Sequence, residues 1–404
     1  MASSLPRLLV TQIFEYFASV RGQDGAVFMV PIDFLRASVP VFPPYGSTAA
    51  RSGRLPGENA SGVAAQPTKV PEAALNFFHR VHSARGVAGR DGKQALIDFG
   101  EFVLLTTLVA IPHEEAAACF RMFDEDNSGG MDAEEFATMM RVLRNQTRVG
   151  QQAGKAYSRI AGDGGTAEAL DEAAAHGLFF GSRKNGTLSL RTFQQFLDDL
   201  HDAMVALEFA HYDIHGTGAI SPADFGLSLV AGAGGRYVDE LLKRCASLPG
   251  ADGAPAVPPP PPPSAKSRKQ PPSLPPPPEP HRRAHHGITL EDFRQFHALK
   301  DNLGQLRCAV TAYDAANGAL TKPRFTAAVH RVCGIRLSQQ VVDTLFAVFD
   351  VDGDGTLEPS EFLDIMERRA RLDAMRSARH RDGPGSVGDA LRGLWAALVG
   401  AKHE

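Results

Sequence analysis

Apolar residues recur along this chain in paired helical stripes with a polar stretch between the members of each pair. Ala116, Phe120 and Phe123 precede one such stretch, and Phe136, Met139, Met140 and Leu143 follow it. Val342, Leu345, Phe346 and Phe349 precede another, followed by Phe362, Ile365 and Met366. Three- and four-residue spacing buries one face of a helix, so each pair predicts helix, loop, helix. The N-terminus has a similar face (Ile13, Phe14, Tyr16, Phe17, Val20), then a turn from Arg21 to Gly25, a short strand at Val27 to Met29 and a helix after Pro31. Near the C-terminus Leu391, Leu394, Trp395, Leu398 and Val399 form a stripe too short to span a bilayer.

The two polar stretches carry the chemistry. Residues 350–361 place Asp350, Asp352 and Asp354 at loop positions 1, 3 and 5, with Gly355 at the turn, the Thr356 carbonyl at 7, Glu358 at 9 and Glu361 at 12. Residues 124–135 repeat the pattern with Asp124, Asp126, Ser128, the Gly130 carbonyl, Asp132 and Glu135, and Gly129 at the turn. Calcium is a hard cation that takes six to eight oxygens, and a twelve-residue loop of this composition supplies them. Both loops are therefore predicted calcium sites. Ser128 replaces a carboxylate, which points to weaker binding in the first loop.

Degenerate copies surround them. Residues 90–101 have Arg90 at position 1 but keep Ile97 and Glu101, and residues 181–192 keep Gly186 and Leu188 without the charge. Residues 213–224 keep Asp213, Gly218, Ile220 and Asp224, with His215 and Thr217 where oxygens belong; whether they hold calcium is open from the sequence. Residues 313–324 end in Arg324, and a half-copy stands at 287–293. Residues at position 8 of such loops pair as short antiparallel strands, which need a partner. Spacing predicts the partners Ile97 with Met131, Leu188 with Ile220, and Leu320 with Leu357, so that each complete loop sits beside a degenerate one.

The predicted fold is mainly α: paired EF-hand lobes with short two-stranded pairings, a small N-terminal domain and a C-terminal helix. Its expected divisions are an N-terminal α/β piece (1–45), a flexible loop (46–71), a pair carrying the first calcium loop (72–150), a degenerate pair (151–248), a proline-rich insertion (249–286), a pair carrying the second calcium loop (287–370), and a basic segment with the terminal helix (371–404). Fifteen of the 28 prolines fall between Pro249 and Pro280, a composition that builds no core.

The 404 residues carry a net charge of -4 and no apolar run long enough for a transmembrane helix, and nothing resembles a nucleic-acid-binding surface. Cys119, Cys245, Cys308 and Cys333 have neither zinc nor redox spacing and are expected to be reduced. No phosphate loop or catalytic constellation is present, so an enzyme is not expected. Arg368, Arg369, Arg371, Arg376, Arg379 and Arg381 form a basic segment suited to acidic lipid or protein, or to plain solvation.

Residues 13–20 (Ile-Phe-Glu-Tyr-Phe-Ala-Ser-Val), 27–36 (Val-Phe-Met-Val-Pro-Ile-Asp-Phe-Leu-Arg), 97–102, 144–147 (Arg-Asn-Gln-Thr) and 207–209 (Leu-Glu-Phe), with two complete loops among degenerate ones, resemble the mitochondrial calcium uptake regulators. The likeness runs from about residue 10 onward, outside 249–286. It implies a calcium sensor of the intermembrane space that holds the inner-membrane uniporter shut at low calcium and releases it at high calcium. Implied partners are the uniporter pore subunit, a related EF-hand protein in a homo- or hetero-dimer, and the acidic inner membrane. Two departures stand out. No transit peptide is readable before Ile13, so localisation rests on the likeness, and no cysteine follows Cys333 where some family dimers are disulfide-linked. A generic EF-hand sensor or adaptor in the cytosol is the alternative.

Overall fold

Among the described residues, the stripes before and after both calcium loops are helical. The computed structural model describes residues 10–22, 25–47, 70–84, 95–109, 111, 113–146, 176–180, 186–231, 238–256, 287–317, 320–350, 352–357 and 362–366. In chain order the helices are α1 (Val10–Phe17), α2 (Pro31–Ser38), α3 (Glu72–Ala84), α4 (Phe99–Val109), α5 (His113–Phe123), α6 (Ala133–Gln146), α7 (Leu190–Tyr212), α8 (Pro222–Val230), α9 (Val238–Ala246), α10 (Leu290–Asp301), α11 (Leu303–Asn317), α12 (Lys322–Cys333) and α13 (Gln339–Phe349), with a π-helical turn at His176–Phe180 before α7. Among the described residues, no helix is long and apolar enough to cross a membrane. The proline-rich run from 257, the basic segment and the Trp395 stripe lie outside them.

The strand partners differ from the spacing-based expectation. Gly130–Met131 pairs with Leu188–Ser189, Ala219–Ile220 with Ile288–Thr289, and Leu320–Thr321 with Thr356–Leu357, all antiparallel. Ile97 joins neither Met131 nor any later residue. It bridges Met29, with Met29 N–H donating to the Ile97 carbonyl at 3.0 Å and Ile97 N–H to the Met29 carbonyl at 2.8 Å. The reason is one of counting. Met29-Val-Pro-Ile-Asp-Phe34 has the same form as Ile97 to Phe102 and Ile288 to Phe293: an apolar residue at position 8, a side chain of interest at 12, and phenylalanine next. With Met29 and Ile288 included, eight position-8 residues pair consecutively, and the parity shifts by one copy. Leu320 with Leu357 is the expected pair that stands, and each complete loop does lie beside a degenerate one.

The phenylalanine that follows position 12 shows why the degenerate copies keep their form. Phe34, Phe102, Phe136, Phe193, Phe225, Phe293, Phe325 and Phe362 are each at most 1% exposed. Burying one such ring contributes roughly 1.5–3 kcal/mol, so the core selects for the exit of the loop whether or not its ligands survive. Position 12 also caps the next helix in several copies. Asp33 accepts from Val30 N–H at 3.1 Å, Glu101 from Asp98 N–H at 2.8 Å, Glu135 from Asp132 N–H at 2.9 Å, and Asp292 from Thr289 N–H at 3.0 Å. This is the capping-box geometry, which satisfies amides that a helix start leaves open.

Two cores result. One gathers Phe14, Met29, Phe34, Phe78, Phe102, Phe120 and Phe136 with α7 as far as Leu207; the other gathers Tyr212, Phe225, Phe293, Phe325, Phe346 and Phe362. Helix α7, 23 residues and so about 35 Å long, runs from the first into the second, with Leu207 in one and Phe209 in the other. A strap, residues 40–47, leaves α2 of the first core and lies on the second. Phe42 N–H donates to the Tyr212 hydroxyl at 3.3 Å, and the His211 Nε2–H donates to the Phe42 carbonyl at 3.0 Å. Burial, with the Arg36 guanidinium beside it, drops the His211 imidazole to about 3, so that ring stays neutral.

Candidate metal centre

The first complete loop is folded around its own carboxylates. Asp124, largely buried at the end of α5, accepts from Ser128 N–H at 2.9 Å and Gly129 N–H at 3.0 Å. Asp126 accepts from the same Ser128 N–H at 2.9 Å, and the Ser128 amide and hydroxyl hold its carboxyl below the usual range. The Ser128 hydroxyl donates to the Gly130 carbonyl at 2.6 Å. Asp132 accepts from the amides of Glu134 and Glu135, both at 2.9 Å, and so starts α6. The two oxygens of Glu135 accept from Glu125 and Asp132 amides, each at 2.9 Å, which turns the carboxylate back toward Asp124. The sixth residue, Gly129, has φ +80°, a left-handed turn that side chains disfavour.

Carboxylate oxygens of Asp124, Asp126 and Glu135 lie within 4.8 Å of one another. Three like charges at that separation repel, and a cation among them reverses the sign of the interaction. All donors are hard oxygens, with the Ser128 hydroxyl and Gly130 carbonyl on the same loop, so the set fits a hard dication of calcium size.

In the second loop, carboxylate oxygens of Asp350, Asp352 and Asp354 also lie within 4.8 Å. Asp350 accepts from Gly353 N–H at 2.7 Å and Gly355 N–H at 3.0 Å, with Gly355 again at φ +80°. Asp354 accepts from the Thr356 hydroxyl and amide, both at 2.7 Å, which hold its carboxyl below the usual range. Glu358 and Glu361 lie outside the described residues. The cluster that is described fits the same ion.

The degenerate loops have put their position-12 groups to other uses. Asp33 accepts from the Ser19 hydroxyl at 2.5 Å. Glu101, 1% exposed, faces His82 Nδ1 at 3.5 Å. Asp224, the group left open by the sequence, accepts from Tyr45 N–H at 2.8 Å and the Ser221 hydroxyl at 2.7 Å, so it anchors the strap. In that same loop the His215 ring bonds the Gly253 carbonyl at 3.1 Å. Sequence reasoning saw the lost ligands but not these replacements, because Tyr45, Ser19 and His82 are remote in the chain.

Burial pushes the Asp224 carboxyl up to about 6, against the opposing pull of Ser221, the Tyr45 amide and His215. The folded chain therefore binds this proton more tightly than the unfolded one, and the associated stability is lost as pH rises through about 6. In denaturant titrations without calcium, the parent is expected to lose on the order of 1–3 kcal/mol relative to Asp224→Asn between about pH 4.5 and 7.5. Parallel pH profiles would show that Asp224 does not titrate in this way.

The family model for the EF-hand domain pair matches residues 93–143 and 316–369, the two stretches that contain the complete loops. The first match covers Ile97 and Met131, whose strand partners in the folded chain are Met29 and Leu188. The calcium uptake protein, mitochondrial, of Arabidopsis thaliana is 37% identical over 366 residues, which cover 89% of this chain. Over that length the chain is similar to this mitochondrial calcium uptake protein. It spans 63% of the Arabidopsis protein's length. Calcium uptake protein 1, mitochondrial, of Bos taurus is 24% identical over 89% of the chain and 66% of its own length. Among solved structures, the apo structure of the mitochondrial calcium uniporter protein MICU2 matches with a TM-score of 0.55 at 20% identity, over 98% of both chains. EFHA2 in its apo state matches with a TM-score of 0.53 at 22% identity, over 92% of this chain and 99% of that one. These two show the fold alone: the same arrangement of helices.

Proposed function

We propose that this protein is a mitochondrial calcium sensor that gates uptake through the inner-membrane uniporter, restraining it at low calcium and permitting it at high calcium. The observation that carries the reading is the pair of carboxylate clusters, Asp124 with Asp126 and Glu135, and Asp350 with Asp352 and Asp354, in a chain 37% identical to a mitochondrial calcium uptake protein. The ligands are Asp124, Asp126, Ser128, Gly130, Asp132 and Glu135 in one loop and Asp350, Asp352, Asp354, Thr356, Glu358 and Glu361 in the other.

Bound calcium supplies positive charge that offsets the clustered carboxylates. The chain's own residues convert this into motion. Glu135 sits on α6, while Asp124 caps the end of α5, so drawing the two together re-aims one helix against the other. Phe136, next to Glu135, packs on Phe179 at 5.0 Å and Phe180 at 6.0 Å, which passes the change to the degenerate partner. Moving a two-state equilibrium from 1:99 to 99:1 takes about 5.5 kcal/mol of differential binding, which two sites share.

The setting is the intermembrane space, peripheral to an acidic inner membrane, with the uniporter pore subunit and a related EF-hand protein as partners. Support comes from the relatives' mitochondrial naming and from the arginines between Arg368 and Arg381. The test is calcium uptake by mitochondria lacking this gene, restored with the parent or with the Glu135→Gln, Glu361→Gln double variant. Deletion is expected to lower the uptake threshold, the parent to restore it, and the double variant to hold uptake shut as calcium rises. Identical thresholds and capacities in all three would end the gatekeeper reading.

A further inference from the structure

Helix α9 and the loop after it, residues 238–256, touch the second calcium loop at one end and the N-terminal strap at the other. At the first end, Arg244 Nη1 donates to the backbone carbonyl of Asp350. Asp350 is both the first ligand position of its loop and the cap of α13, its N–H donating to the Phe346 carbonyl at 3.0 Å. A rigid, permanently charged guanidinium is thus fixed to the backbone of a residue whose side chain faces the cluster.

In the middle of the arm there is no slack. A Cβ at Gly226 of α8 would fall 2.9 Å from Cys245 Sγ of α9 and 3.4 Å from Val348 Cγ2 of α13, so the three helices are in direct contact. At the far end, Ala223 N–H donates to the Pro249 carbonyl at 3.2 Å. Gly253 then meets Gly46 of the strap, backbone to backbone. A Cβ on Gly253 would lie 2.5 Å from Gly46 Cα, one on Gly46 would lie 2.8 Å from Gly253 Cα, and both residues have positive φ. The strap runs back into α2 and the first core.

We propose that residues 238–256 are a coupling arm that carries the state of the second calcium loop to the N-terminal strap, with Arg244 as the positioning residue that ties the arm to Asp350. This rests on the calcium reading of residues 350–361. Close-packed contacts transmit a small displacement rather than absorb it, and the arm is close-packed or hydrogen-bonded at both ends.

Amide hydrogen exchange on the full chain tests it, with calcium stoichiometry measured on the same samples of parent, Arg244→Ala and Arg244→Lys. In the parent, calcium is expected to change exchange at the Phe42 and Tyr45 amides at least about tenfold. Arg244→Ala should still bind two equivalents but lose most of that response, and Arg244→Lys should recover part of it. A calcium response of the strap in Arg244→Ala equal to the parent's overturns the arm, as does an unresponsive strap in a parent that binds two equivalents. A parent that leaves residues 350–361 empty of calcium, judged by an unchanged stoichiometry in Glu361→Gln, overturns the calcium reading and the arm together. Should Arg244→Ala not fold, Arg244→Met, which keeps the length of the side chain without a donor, replaces it with the same expected outcomes.

Discussion

Calorimetric titration of the Glu135→Gln, Glu361→Gln double variant is expected to show no micromolar calcium binding, against two equivalents for the parent and one for each single variant. Glutamine keeps the size of the side chain but offers one oxygen in place of two and removes a charge. At Glu135 the loss is larger than a ligand count suggests. Both of its oxygens accept backbone amides, from Glu125 and Asp132, at 2.9 Å. A glutamine must aim its NH₂ at one of those donors, so the group turns away and the loop loses its closing contact. Losing a charge and one of two ligand oxygens at the closing position is expected to weaken binding by roughly a hundredfold, about 3 kcal/mol. Glu361 is expected to match because it holds the same loop position. Two equivalents bound by the double variant would sink the assignment of both loops.

What the sequence revealed and what it hid divide along a physical line. Ligand types, turn glycines and flanking stripes are local, and the carboxylates of Asp124 and Asp126, and of Asp350, Asp352 and Asp354, do cluster in the folded chain. The helices entering both calcium loops and leaving the first followed from period alone. Strand partnership is not local, and counting from Ile97 left out Met29, whose copy has Gly22 and Ala26 at positions 1 and 5 and keeps only Asp24 in its first half. Its exit, Met29-Val-Pro-Ile-Asp-Phe34, was visible in the sequence all along, and the buried phenylalanine was the signal to follow. The second uses of Asp33, Glu101 and Asp224 were not legible, because each depends on a residue brought close only by the fold. In Asp224 the consequence is functional. A carboxylate that closes a calcium loop elsewhere here holds the Tyr45 amide, which places the strap across the second core.

If core packing explains why degenerate copies persist, a substitution in a degenerate copy must weaken calcium binding in its living partner. Phe325→Ala tests this most directly. Phe325 follows Arg324, in a loop with no acidic closing ligand, yet its ring is 1% exposed and meets Phe346 at 6.0 Å and Phe362 at 5.7 Å. Phe346 lies on the helix entering the second calcium loop, and Phe362 directly follows Glu361. Truncating such a ring is expected to cost about 3–5 kcal/mol of stability in the calcium-free chain, read from denaturant titration. Part of the calcium binding energy at residues 350–361 must then go into re-forming the pair, so that site should weaken by about tenfold or more while residues 124–135 keep their affinity. Phe193→Ala reverses the pattern, since Phe193 packs on Phe120 at 5.8 Å beside the first loop. Loss confined to stability in both variants, with both affinities intact, would mean that the paired loops share a core but not their calcium binding. The crossed pattern means that a loop without ligands sets the affinity of the one beside it.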